Sequence, residues 1–126
     1  MESISQTIVR LSQEAQASGS DTTREAARAT GGLPVWSDMG GLLVLMPTKE
    51  IIQYDLESRT LSPEHRPEWQ KLALVKAASS HPELAGLMPA RPALAATCDH
   101  CGGTGRLFDT VDCCQCMGTG WFMPRR

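Results

Sequence analysis

The spacing of apolar residues near the start of the chain is helical. Over residues 3–17 the apolar side chains recur every three or four positions, as one face of a helix requires: they are Ile4, Ile8, Leu11 and Ala15. Ser3 and Gln6 stand at the spacing of a capping box, in which each side chain bonds the other residue's backbone N–H. The sequence therefore predicts that a first helix begins at Ser3.

A second helix is predicted after an interruption at Gly19. Asp21 or Thr22 can cap its first turn, and Gly31 can end it because glycine readily adopts the left-handed conformation found at helix ends. Large apolar residues are sparse throughout this stretch. We therefore predict residues 1–32 as an N-terminal helical segment.

The pattern changes to that of strands at residue 42. An unbroken apolar run over 42–46 is followed by a turn signal at Pro47 and a second run over 51–56, which together predict a β-hairpin. An unbroken apolar strand needs cover on both faces, as at the centre of a small sheet packed by helices. Upstream, Trp36 is expected in a turn that enters this strand, packed on the core.

Helical signals return at Pro67, which suits the first turn of a helix that runs to about Ser80. Pro82 can begin one more short helix. That helix is expected to bury three apolar side chains: Leu84, Leu87 and Met88. Closely spaced prolines then predict a stiff connector over residues 90–97. The fold class predicted for residues 33–89 is α+β, a small antiparallel sheet packed by helices.

Composition and charge exclude several classes of protein. The net charge of −2 over 126 residues gives no electrostatic reason to expect a nucleic-acid or membrane partner. No apolar run is long enough to cross a bilayer, and the N-terminus lacks the pattern of a secretory signal. We therefore expect a cytoplasmic protein, in a compartment where thiols stay reduced.

The cysteines are confined to the end of the chain, where an eight-residue pattern occurs twice. Residues 98–105 and 113–120 both read Cys-x-x-Cys-x-Gly-Thr-Gly. Two such turns can supply four thiolates to one tetrahedral ion, and backbone amides in the turns can donate to the sulfurs. The predicted ligands of one structural Zn²⁺ ion are Cys98, Cys101, Cys113 and Cys116. Residues 98–126 are thus predicted as a zinc-stapled pair of knuckles.

Other readings of the cysteines stay open at this point. Two disulfides would need an oxidising compartment, and a redox dithiol should stand at a helix N-terminus, which the Gly-Thr-Gly tails oppose. An iron–sulfur cluster uses the same ligands. Cys114 has no counterpart in the first repeat and is expected to be a spectator thiol, and His100 a solvated turn residue. The apolar segments that follow the knuckles, Leu107-Phe108 and Trp121-Phe122-Met123, are expected to pair antiparallel with each other.

No catalytic motif is found in the sequence. It has no His-Glu-x-x-His, no Gly-x-Ser-x-Gly and no phosphate-binding glycine loop. The hydroxyl of Ser80 beside His81 is better explained by a helix end than by catalysis. Within 98–126 the acidic and basic residues cancel, and the Arg125-Arg126 tail is expected to be no more than a charged terminus. We therefore expect a protein that is not an enzyme.

The doubled cysteine motif resembles the cysteine-rich zinc region of DnaJ-type co-chaperones. The four cysteines match the ligands of that region and the glycines match its turns, although this chain has two repeats where that region has four. It also has no J-domain His-Pro-Asp motif. The resemblance implies the same metal geometry, and it implies as an alternative function a chaperone-like module that binds unfolded or assembling client proteins.

The middle of the chain is similar to bacterial SUKH-superfamily proteins. The similar segments are Trp36-Ser37-Asp38-Met39-Gly40-Gly41-Leu42, Ile52-Gln53-Tyr54-Asp55, Trp69-Gln70-Lys71-Leu72-Ala73-Leu74-Val75 and Pro82-Glu83-Leu84-Ala85-Gly86-Leu87-Met88-Pro89. The similarity implies an α+β fold and a role as an immunity protein whose partner is a cognate toxin. The expected function is therefore a protein-binding module with structural zinc, and a dithiol redox protein is a second alternative.

Overall fold

The computed structural model describes residues 2–38, 40–107, 111–113, 116 and 118–122. The chain divides into two compact units, residues 1–87 and residues 88–126. The elements of the first unit are, in order, α1 (Ile4–Ser18), α2 (Asp21–Thr30), β1 (Leu33–Asp38), β2 (Gly41–Leu45), β3 (Ile51–Asp55), β4 (Leu61–Pro63), α3 (Pro67–Ser80) and a 3₁₀ helix (Pro82–Leu87). Residues 1–32, predicted as a segment of their own, belong to the same unit as the sheet.

The first two helices begin at side-chain caps. The predicted capping box begins α1: Gln6 N–H donates to the Ser3 hydroxyl, and Ser3 N–H donates to the Gln6 side chain at 2.8 Å. The prediction for α2 was wrong, because Ser20 rather than Asp21 or Thr22 is the cap and accepts from Thr23 N–H. Ser20 has the extended backbone of an N-cap and directly precedes the first helical residue, so its hydroxyl lies at the helix end.

The sheet is antiparallel throughout, with strand order β1-β2-β3-β4. The predicted hairpin is confirmed as β2 and β3, in which Leu43 pairs with Gln53. As expected for a central strand, β2 is buried along nearly its whole length. Trp36 lies in strand β1 and not in the predicted turn. The presence of Pro34 hid this strand in the sequence, and the β1–β2 register shifts between Pro34 and Trp36.

Helices pack on both faces of this sheet. On one face, Ala26 of α2 packs against the side chains of Leu42, Val44 and Tyr54. Side chains of a strand alternate between faces, so Leu43 points to the other side, where Trp36 of β1 contacts Trp69 of α3. The architecture is therefore α+β, a small antiparallel sheet packed by helices, as predicted.

The last helices of the first unit follow the prediction, but only one of the three apolar side chains expected to be buried is buried. Pro67 occupies the first turn of α3, which ends at Ser80 with His81 as its C-cap. Leu84 is fully buried in the 3₁₀ helix, but Met88 is 44% exposed. The expectation that Leu87 and Met88 are buried was wrong, because Leu87 is only partly buried and Met88 lies beyond the last residue of the helix. Among the described residues, the structure contains no helix long and apolar enough to span a membrane.

The described residues of the second unit form four two-residue strands. They are β5 (Ala96–Thr97), β6 (Arg106–Leu107), β7 (Val111–Asp112) and β8 (Trp121–Phe122). Strand β6 pairs with β7 and strand β5 pairs with β8, both antiparallel. The predicted pairing of the two trailing segments with each other was wrong. Each trailing segment instead pairs with the segment that leads into the other knuckle.

Candidate metal centre

Each Cys-x-x-Cys motif forms a tight turn between two of these short strands. Gly103 N–H donates to the carbonyl of Cys98 at 3.0 Å, and Gly118 N–H donates to the carbonyl of Cys113 at 3.1 Å. In both knuckles the threonine that follows bonds back to the second cysteine through its N–H, at 3.4 Å in the first and 3.3 Å in the second. The sequence repeat is thus a structural repeat with the same hydrogen bonds.

The threonine hydroxyls have a role that the sequence analysis did not assign. The hydroxyl of Thr104 lies 2.9 Å from the carbonyl oxygen of Cys101 and also 2.9 Å from that of Arg106. In the second knuckle the Thr119 hydroxyl lies 2.7 Å from the carbonyl of Cys116 and 2.9 Å from that of Trp121. Each hydroxyl therefore links the ligand turn to the strand that leaves it.

The two knuckles are held together by their backbones. Cys98 N–H donates to the carbonyl of Gly120, and Cys113 N–H donates to the carbonyl of Gly105, both at 2.9 Å. Each bond runs from the first cysteine of one knuckle to the last glycine of the other. The exchange of matching bonds gives the pair an approximate two-fold symmetry. It also places the four cysteines around one point.

The four sulfur atoms lie close enough together to surround one ion. The Sγ atoms of Cys98 and Cys113 lie 3.8 Å apart and those of Cys101 and Cys116 lie 3.7 Å apart. All four Sγ atoms lie within 4.8 Å of one another. A tetrahedron with Zn–S bonds of about 2.3 Å has edges of about 3.8 Å, whereas a disulfide needs about 2.0 Å. The structure thus brings together all four predicted ligands as free cysteines at a spacing that can hold a metal ion.

Backbone amides point at two of the sulfurs. Gly105 N–H donates to Cys101 Sγ at 3.2 Å, and Gly120 N–H donates to Cys116 Sγ at 3.1 Å. Such bonds offset negative charge on a thiolate. Burial raises the pKa of Cys116 to about 11, with the neighbouring sulfurs adding to the rise. Cys101 is also subject to burial, but amide N–H groups and neighbouring thiols bring its pKa down to about 6.

The comparisons with known proteins are negative. No family model, curated protein or solved structure matches this chain. The similarities to SUKH-superfamily proteins and to the DnaJ-type zinc region therefore rest on the motifs of the sequence alone. They remain predictions.

The other residues singled out in this region stand apart from the cluster or outside the described residues. His100 is exposed and does not belong to the group of side chains that could hold a metal ion. Cys114, Phe108, Met123 and the Arg125-Arg126 tail lie outside the described residues. The predictions made for those positions stay predictions.

The first unit has a pocket of about 240 Å³ between the sheet and α3, which the sequence did not predict. The ring centroids of Trp36 and Trp69 lie 5.1 Å apart at its wall, with the ring planes inclined by 48°. The guanidinium of Arg66 covers the ring of Trp69 at 4.8 Å from its centroid. Trp36 and Trp69 are far apart in the sequence, so no local pattern could have paired them.

A buried carboxylate holds Arg66 in this position. Glu64 is only 3% exposed, and its oxygens accept from Arg66 Nε at 2.9 Å and from Arg66 Nη2 at 3.0 Å. The side-chain amide of Gln53 also donates to Glu64, and that of Gln70 donates to the Glu64 carbonyl at 2.6 Å. Bonding to Arg66 outweighs burial and lowers the pKa of Glu64 to about 2. The guanidinium is therefore fixed and its charge is balanced.

Proposed function

We propose that Cys98, Cys101, Cys113 and Cys116 bind one structural Zn²⁺ ion. The sulfur separations of 3.7 and 3.8 Å, which match the edges of a zinc tetrathiolate, support this. When bound, the ion closes the fold by joining the two knuckles. Four thiolates fill all four positions of a tetrahedral ion, so such a site has no open position for substrate.

We further propose that the protein is a non-enzymatic protein-binding module of the bacterial toxin-immunity type, acting in the cytoplasm. The observation that carries this proposal is the cluster of Trp36, Trp69 and Arg66 around a pocket of the first unit. Tryptophan and arginine are the side chains most enriched at the centres of protein interfaces. The similarity of the middle of the chain to SUKH-superfamily proteins names a cognate toxin as the partner.

A second candidate function is a chaperone-like module acting through the second unit. Among the described residues of that unit, three large apolar side chains are exposed: Met88 by 44%, Leu94 by 74% and Phe122 by 38%. Exposed apolar side chains can bind unfolded clients. This function predicts suppression of client aggregation, which is lost in the double variant Leu94→Ser and Phe122→Ser and on removal of zinc. The Trp69→Ala variant would keep it.

Metal content tests the proposed site. Purified protein should contain one Zn²⁺ ion per chain, and its Co²⁺ form should have the absorption of a tetrahedral tetrathiolate. Cys98→Ser and Cys113→Ser should each lose most of the metal. The matched control, His100→Ala, changes an exposed residue between two ligands and should keep it. A protein that contains an iron–sulfur cluster, or that binds no metal, would contradict the proposal.

The partner is tested by protection and by direct binding. Expression should protect cells against a toxin encoded beside the gene, and the purified proteins should form a complex. Trp69→Ala should weaken the complex, whereas Trp121→Phe in the second unit should not. If the protein neither binds nor protects against any toxin encoded beside its gene, the immunity role is wrong. Disulfide exchange that is lost in Cys98→Ser or Cys113→Ser would favour the redox alternative instead.

A further inference from the structure

We propose that the pocket between the sheet and α3 receives one neutral aromatic side chain with a polar group, such as tyrosine, from the bound partner. The inference rests on the proposed protein-binding function, because it names the part of the partner that is recognised. The pocket wall includes residues from strands β1 to β4 and from the start of α3. They include Trp36, Gln53, Asp55, Ser62, Arg66 and Trp69.

The size of the pocket limits what can fill it. Its volume of about 240 Å³ lies below the roughly 300–1,000 Å³ that is usual for sites of drug-sized ligands and cofactors. A space of this size suits one large side chain. Interfaces commonly bury a single anchoring side chain in such a pocket.

The wall of the pocket favours a ring. Trp36 and Trp69 are inclined by 48° with centroids 5.1 Å apart, so they already form a tilted aromatic pair. Aromatic rings prefer such tilted or offset arrangements, and a third ring can add to the pair in the same way. Gln53 and Ser62 supply polar groups to the same wall. A side chain with both a ring and a polar group matches this mixture better than an aliphatic one does.

The charges around the pocket favour a neutral occupant. Arg66 is paired with the buried Glu64. The guanidinium of Arg66 lies over the ring of Trp69. The carboxylate of Asp55 accepts N–H bonds from Glu57 and Ser58, both at 2.9 Å. An entering cation would face Arg66, and an entering anion would approach two carboxylates. The two charged residues of the wall, Arg66 and Asp55, have opposite signs, so neither an anion nor a cation meets a wall of purely opposite charge.

The test uses the three indole N–H signals of the ¹⁵N-labelled full-length protein, one each for Trp36, Trp69 and Trp121. The probes are N-acetyl-tyrosinamide, N-acetyl-leucinamide and N-acetyl-lysinamide. We expect tyrosinamide to shift the signals of Trp36 and Trp69, with a dissociation constant on the order of 1–10 mM for so small a probe. Trp121 lies in the other unit and is the internal control. The leucine and lysine probes should bind at least about fivefold more weakly.

Two variants separate pocket binding from general effects on folding. Trp69→Leu should weaken tyrosinamide binding by about tenfold. Ser62→Phe changes an exposed strand residue at the wall, keeps both tryptophans and should block the probe by filling the space. Equal binding of all three probes, absence of any shift at Trp36 and Trp69, or unchanged binding in Ser62→Phe would overturn the inference. Tyrosinamide binding in a protein that has no toxin partner would count against the proposed function and not against the pocket.

Discussion

A Cβ atom on Gly105 would lie 2.4 Å from the carbonyl oxygen of Gly118. The symmetry-related contact, from a Cβ on Gly120 to the carbonyl oxygen of Gly103, would measure 2.3 Å. Both glycines also have positive φ angles, +79° and +87°. The two knuckles thus approach each other through the space that these side chains would fill, and any larger residue must move one backbone away from the other.

Gly105→Ala should therefore impair metal binding. The control is Gly102→Ala, which has a similarly positive φ of +67° but nothing within 4 Å of the added Cβ. Gly102→Ala should lose only the free energy needed to hold alanine in a left-handed backbone conformation, about 1–2 kcal/mol. Gly105→Ala should lose more folding free energy because its Cβ also collides with the backbone of the other knuckle. The measurement is competition with a chelator, in which Gly105→Ala should have the weaker Zn²⁺ affinity. Equal affinities of the two variants would contradict the close approach.

Removal of the metal should unfold the second unit first. Structural zinc contributes on the order of 10 kcal/mol to the folding of small knuckles, and the two-residue strands around the cysteines offer little other stabilisation. After chelation, hydrogen exchange should become fast over residues 96–122 and stay slow in β2 and α3. Cys98→Ser without chelator should give the same pattern. Slow exchange of the knuckle amides in metal-free protein would refute this dependence.

Stability at low pH should depend on Glu64. Its pKa in the folded protein is about 2, below the ordinary value of 4.5 for a glutamate. A lowered pKa means that the stabilisation is present above the unfolded-state value and is lost as the pH falls from about 5 towards 2. Glu64→Gln should cost at most about 3 kcal/mol at pH 7.

The measurement for Glu64 is urea unfolding at several pH values between 7 and 2. The difference between wild type and Glu64→Gln should shrink as the pH falls. Glu57→Gln, a change at an exposed carboxylate, is the control and should leave both the stability and its pH dependence nearly unchanged. A constant difference between wild type and Glu64→Gln across this range would show that the Arg66–Glu64 bond does not stabilise the fold.

The N-cap of α2 can be tested by comparing two neighbouring hydroxyl residues. Ser20→Ala should destabilise the first unit by about 1 kcal/mol because it removes the side chain that accepts from Thr23 N–H. Thr22→Ala changes an exposed hydroxyl two positions later and should have a much smaller effect. Thermal unfolding of both variants measures the difference. A larger loss in Thr22→Ala would restore the cap that the sequence predicted.

Signals that depend on neighbouring residues predicted the local elements well. The capping box of Ser3 and Gln6, the hairpin after Pro47 and the first turn of α3 at Pro67 all follow from short-range physical rules. Where several residues satisfy one rule, the rule cannot choose between them. Ser20, Asp21 and Thr22 are all residue types that cap helices, and the structure uses Ser20.

Contacts between residues distant in the sequence were predicted less well. The spacing of the cysteines sufficed to predict which four lie together, because two similar turns can meet around one ion. It did not predict the strand pairing, since two-residue strands such as Arg106–Leu107 carry no register signal. The contact of Trp36 with Trp69 needs both the β1 strand and the position of α3. Pro34 concealed that strand.

The pairing of Ala96 with Phe122 brings together the two ends of the knuckle pair in the second unit. Partners in an antiparallel pair have Cα atoms about 5 Å apart, so the chain enters and leaves the knuckle pair at almost the same place. A segment with adjoining ends can be inserted into a surface loop of an unrelated domain without stretching it. Residues 96–122 thus have the geometry of a transplantable cassette.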